Sequence, residues 1–159
     1  MFKKTKYMTD KIIISGFVIS FGFSLFMLFT RKKQWFSAEI KALLLLFLII
    51  TGLVGFIGAV ENSARFLYYS MLVPPISFLI DRLFRHLSIK LHKRDFYLYL
   101  KGSDEIDDSI SGFGKNKHIK ASDVIFSFGM FIIILFLTIM GSVLFGKDNL
   151  YSVWVNYLN

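Results

Sequence analysis

The residues able to do chemistry gather in one stretch of this chain. His86, His92 and His118 are its three histidines, and Asp104, Glu105, Asp107 and Asp108 cluster between the last two. Four adjacent carboxylates raise the question of a divalent cation. An EF-hand loop, however, reads D-x-[DN]-x-[DN]-G with a terminal Glu, and Asp104-Glu105-Ile106-Asp107-Asp108 departs from it. A solvated acidic face, or a patch for a basic partner, is the better reading. His86 and His92 are six residues apart, which puts them on different helix faces. Gly141-Ser-Val-Leu-Phe-Gly146-Lys147-Asp148 approaches a phosphate loop but has Asp where Ser or Thr would bind magnesium. The chain has no cysteine, so thiol catalysis, thiolate metal sites and disulfides are excluded. No hydrolase or zincin motif occurs. The expectation is a protein that is not an enzyme and that takes no cofactor or metal.

The elements that must position these residues are apolar. Ile12–Thr30, Ala42–Val60, Phe66–Ile80 and Val124–Phe145 contain no Lys, Arg, Asp, Glu or His, so all 19 Lys/Arg, all 11 Asp/Glu and all three His lie outside them. A spanning helix needs roughly 20 mostly apolar residues. The chain is therefore expected to be an all-α integral membrane protein of one domain. Its predicted spans are 12–30, 42–60, 62–84 and 124–145, a four-transmembrane-helix bundle. The first run, flanked by Arg31-Lys32-Lys33, is too long for a signal-peptide core and reads as a retained helix. The net charge of +8 fits topology signals and anionic lipid better than nucleic acid.

Pro74-Pro75 predicts a broken third helix, either a kinked span or a re-entrant hairpin. Counting Lys and Arg leaves two topologies: four spans with the N-terminus outside, or a re-entrant third segment with it inside. Both put residues 81–123 in the cytoplasm and the protein in the cell's inner (plasma) membrane. Small residues recur at four-residue spacing: Gly16, Ser20 and Ser24 in the first run, and Thr51, Gly55 and Ala59 in the second. They mark a helix-packing or homo-oligomer seam.

Within 81–123, an amphipathic helix is expected to extend from the third run, with Ile76, Ile80, Leu83, Leu87 and Leu91 as its apolar stripe. Arg82, Arg85, His86, Lys90, Lys93 and Arg94 are its candidate contacts to lipid headgroups or a partner. Phe96-Tyr97-Leu98-Tyr99-Leu100 reads as the end of the helix or as one strand. A lone strand needs a second edge, so Phe96, Tyr97, Tyr99 and the acidic cluster are candidate docking residues for a cytosolic protein. The tail 146–159 carries Tyr151, Trp154 and Leu158 on one helical face, an interfacial anchor. The expected function is a non-enzymatic membrane subunit that anchors or senses the membrane and recruits a cytosolic partner through 81–123. Sensors of bacterial defence systems and toxin-immunity proteins share this general build, an analogy of architecture only. The alternative is a small oligomeric channel or transporter around the third helix, lined by Thr51, Ser70, Ser77, Ser127 and Thr138.

Overall fold

The computed structural model describes residues 11–100 and 119–145. They form four helices: α1 (Lys11–Phe29), α2 (Ala38–Gly58), α3 (Asn62–His92) and α4 (Ala121–Phe145). Three of these, α1, α2 and α4, are long and apolar enough to cross a membrane. The helices alternate in direction. Gly16, Ser24 and Arg31 of α1 and its C-terminal link meet Ser70, Ser77 and Asp81, so α1 runs parallel to α3. Tyr69 and Phe84 of α3 meet the regions of Gly141 and Phe126, so α4 runs antiparallel to it.

α3 sits at the centre and touches the other three helices. Its buried face carries Ser63, Phe66, Ser70, Val73, Ser77 and Asp81. Ser63, Ser70 and Ser77 are seven apart, with Phe66 and Val73 between them, the 3.5-residue seam of close helix contact. Small hydroxyls let neighbouring backbones approach. Ser70 and Ser77 donate to the carbonyls of Phe66 and Val73 at 2.7 and 2.8 Å, and Ser63 donates to Glu61 Oε2 at 3.4 Å. Leu79, Leu83 and Leu91 face outward and are more than half exposed.

The expected break at Pro74-Pro75 is absent. α3 runs 31 residues through both prolines, which also removes the re-entrant hairpin. Without N–H groups at 74 and 75, the carbonyls of Ser70 and Met71 lose their helical donors, at roughly 3 kcal/mol per proline in an isolated helix. Both prolines and Val73 are buried among the surrounding helices. Packing on three sides holds the helical path against that local cost.

α1 contains a π-helical turn at Val18–Phe23. On an ideal α-helix, residues spaced by four drift about 40° per step around the axis. The wider π turn takes that drift back, and Ser20 and Ser24 both stay buried. The small residues of α1 and α2 are used within the chain. A Cβ on Gly16 would meet the Phe66 ring at 2.6 Å and Ser70 Oγ at 2.9 Å, and one on Gly55 would strike the Tyr68 ring. Thr51 donates to the Phe47 carbonyl at 2.7 Å, and Ala59 ends α2 and accepts Arg65 Nε at 3.0 Å.

Candidate functional site at the charged end

The two ends of the bundle differ in charge. Arg31, Lys32, Lys33, Lys41, Arg82, Arg85, Lys90, Lys93, Arg94 and Lys120 lie at the end formed by the α1–α2 link and the C-terminal part of α3. Among the described residues the opposite end has Lys11 and Arg65.

α3 stops where Lys93 takes a left-handed φ of 57° as its C-cap. Lys93 N–H closes the last turn on the Ile89 carbonyl at 2.8 Å, and Ser88 Oγ donates to the Arg94 carbonyl at 3.0 Å. The chain then reverses, and Asp95–Leu100 forms a non-helical strap on the bundle. Phe96 is 0% exposed and Leu98 1%. Leu98 joins Leu28, Met130 and Ile134 in one core cluster, and the Phe96 ring lies against Phe126.

Non-helical backbone among apolar helices needs hydrogen-bond partners. Two α4 side chains supply them. Tyr97 N–H donates to Asp123 Oδ1 at 3.3 Å, and Tyr99 N–H donates to Ser127 Oγ at 2.8 Å. Ser127 in turn donates to the Asp123 carbonyl at 2.7 Å. Asp123 and Ser127 are one helical turn apart, so they face the strap together. The partner edge that Phe96–Leu100 requires is thus found inside the chain.

Asp123 also ties the two stems of the loop together. It accepts from Arg94 Nη1 and Nη2 at 3.3 and 2.7 Å, and from Lys120 N–H at 2.8 Å. The last contact is the backbone half of a capping box, made by the third helical residue. These hydrogen bonds hold the Arg94 guanidinium above its ordinary pKa. Further across, Arg31 pairs with Asp81 at 3.1 Å, donates to the Phe96 carbonyl at 2.7 Å and lies 4.2 Å from the Phe96 ring centre. Asp95 takes Arg85 at 2.9 Å and Lys32 at 4.0 Å.

Beside the strap lies an open cavity of about 390 Å³ between the α1–α2 link, α2 and α3. Arg31, Lys32, Lys33, Lys41, Arg82 and Arg85 face it, and among the described residues Asp81 is the lining carboxylate. Lys41 Nζ donates to the carbonyls of Thr30 and Arg31 at 2.9 and 3.0 Å, and so fixes the link that forms one wall. Arg82 lies 5.2 Å from the Phe78 ring centre.

The residues expected to act together are therefore divided. Arg82 and Arg85 line the cavity, whereas His86 and Lys90 are exposed elsewhere on α3. Arg94 is committed to Asp123 and Phe96 to the core; Tyr97 is half-buried, under the cations of Arg94 and Lys32. Asp104, Glu105, Asp107, Asp108, His118 and the tail 146–159 lie outside the described residues. Sequence reasoning named Ser127 only as a lining residue of the alternative channel, and missed the parts played by Arg31, Lys41, Asp81, Asp95 and Asp123. Only Asp123 left a local signal, an acid placed to cap the helix that opens the fourth apolar run. The others meet across 10 to 65 residues of chain.

Comparisons with family models, curated proteins and solved structures give no match for this chain.

Proposed function

We propose that the protein is a non-enzymatic subunit of the plasma membrane that spans it four times and engages a cytosolic protein through 81–123. α3 supplies the fourth span. At about 1.5 Å per residue, its 31 residues reach well beyond a hydrocarbon core of roughly 30 Å. Its central place shields the serines, and its last turns carry Arg82, Arg85 and Lys90 past the interface. The concentration of cations at the charged end supports a cytoplasmic side for it, with both termini outside.

One observation carries the partner reading. Arg94–Asp123, Tyr97–Asp123 and Tyr99–Ser127 lock both stems of residues 101–118 to the same end of the bundle. A loop fixed at its base is a presenting element, because less entropy is lost when a partner binds it. The carrier reading gains less. Ser70, Ser77, Ser127, Thr138 and Thr51 all donate to carbonyls of their own helices.

The test replaces 102–118 with a Gly/Ser linker and compares crosslinked captures from the native host. A protein recovered with the wild type and lost with the replacement supports the reading. Bare protein in both, or the same companions in both, overturns it. Orientation is read separately by single-cysteine labelling, which the cysteine-free sequence makes clean. Cysteines at 33 and 90 should react from the cytosol and one at 60 from outside.

A further inference from the structure

We propose that the exposed row Leu83, Leu87 and Leu91, with Arg82, His86 and Lys90 beside it, is a docking face for an acidic amphipathic helix of a cytosolic protein. A basic residue precedes each leucine, and the pair recurs at every fourth residue: Arg82-Leu83, His86-Leu87 and Lys90-Leu91. This spacing sets the leucines in one line along α3 and the basic residues in a second line next to it. All six are exposed. The opposite side of this part of α3 is already occupied. There Phe84 packs on Phe126, Arg85 holds Asp95, and Ser88 donates to the Arg94 carbonyl. The two rows thus lie on the side that the bundle and the strap leave uncovered. Among the described residues no carboxylate lies within ion-pair distance of Arg82, Lys90 or Lys93, and Arg82 rests 5.2 Å from the Phe78 ring centre.

The membrane surface is a poor cover for this face. An amphipathic helix on a membrane lies in its plane. α3 is one uninterrupted helix from Asn62 to His92, so its last turns continue the path of the span. Asp81 pairs with Arg31, directly after the first apolar run, which sets the level where hydrocarbon ends. At about 1.5 Å per residue, Leu91 stands about 15 Å further along α3, beyond a headgroup layer of roughly 5–8 Å. Leu91 is nevertheless 67% exposed. A second copy suits the face no better. Two copies in one membrane would bring their basic rows together at the same height, where like charges repel. The face consists of side chains on a helix and offers no free strand edge. The partner that fits it is a helix with apolar residues at three- and four-residue spacing. Glu or Asp beside those residues would pair with Arg82 and Lys90 and accept from His86. This docking rests on the assignment of 81–123 to the cytosol, which the cysteine labelling tests by itself.

The experiment places photoreactive p-benzoylphenylalanine at position 87 or 91 of the full-length protein in membranes of its native host. Position 79, where the exposed Leu79 lies within the third apolar run, is the lipid-facing comparison. After irradiation, mass spectrometry identifies what is joined at each position. Positions 87 and 91 should join a protein segment with Asp or Glu beside apolar residues at helical spacing, and position 79 should join lipid. His86→Glu/Lys90→Glu should cut the protein adduct at least about 10-fold. His86→Arg/Lys90→Arg should retain it, which separates lost charge from lost folding. Lipid at 87 and 91, a second copy, a segment of the same chain, a partner segment without acids, or no adduct overturns the proposal. An adduct that persists in the glutamate variant also overturns it. Companions lost on replacement of 102–118 but unchanged in the glutamate variant would end the docking proposal and leave the loop reading intact.

Discussion

Replacing Asp123 with alanine should loosen the clamp that holds the strap. The carboxylate is 0% exposed and accepts from Arg94, Lys120 and Tyr97. Breaking a fully buried ion pair by removing one partner costs about 3–5 kcal/mol. Arg94's side chain keeps 26% of its exposure and can regain water, so that figure is an upper bound. Loss of the helix cap adds about 1 kcal/mol, and the stranded Tyr97 N–H adds about 1 more. The expected net destabilisation is about 3 kcal/mol. Unfolding in a graded series of denaturing detergent, followed by circular dichroism, measures it. Arg94→Met and the double variant complete a cycle with an expected coupling of about 1–2 kcal/mol. Trypsin should also cut after Lys93 or Arg94 faster in Asp123→Ala. A destabilisation within about 0.5 kcal/mol of zero, or additivity of the two changes, would refute the clamp.

Gly52→Ala should destabilise by more than about 1 kcal/mol, because its Cβ would lie 2.6 Å from Leu72 and 3.2 Å from the Tyr68 carbonyl. Gly58→Ala meets nothing within 4 Å and should be neutral or stabilising by up to about 1 kcal/mol; the same detergent titration compares them. Ser127→Ala removes the acceptor of Tyr99 N–H and should cost about 1–2 kcal/mol, with faster amide exchange at Tyr99. Unchanged exchange there would show that the strap does not rely on α4. Pro74→Ala/Pro75→Ala should leave the helical circular dichroism at the wild-type level, since α3 is already continuous; a clear gain would mean that the prolines interrupt it.

Much of the architecture is legible along the chain because hydrophobic length and charge are local properties. The apolar runs mark α1, α2 and α4, and the stripe through Leu83, Leu87 and Leu91 marks the outward face of the last part of α3. Pro74-Pro75 misleads for a matching reason. The penalty of a proline is local, whereas the packing that outweighs it comes from three other helices. The glycines show the same division. Sequence places Gly16 and Gly55 on contact faces, but Phe66 and Tyr68 on α3 make those contacts internal to the chain.

The sequence by itself determined that the chain holds helices long and apolar enough to cross a membrane, that its four apolar runs contain no Lys, Arg, Asp, Glu or His, and that its cations crowd toward one side. Those conclusions need only composition and order, because transfer of each side chain between water and lipid depends chiefly on its own chemistry. The tertiary structure decided what the charges do. It brought Arg31 to Asp81, Arg94 to Asp123 and the strap to Ser127, and it gathered six cations around one cavity. Such groupings depend on which helix faces meet, and helix faces are matched only when the whole bundle is assembled.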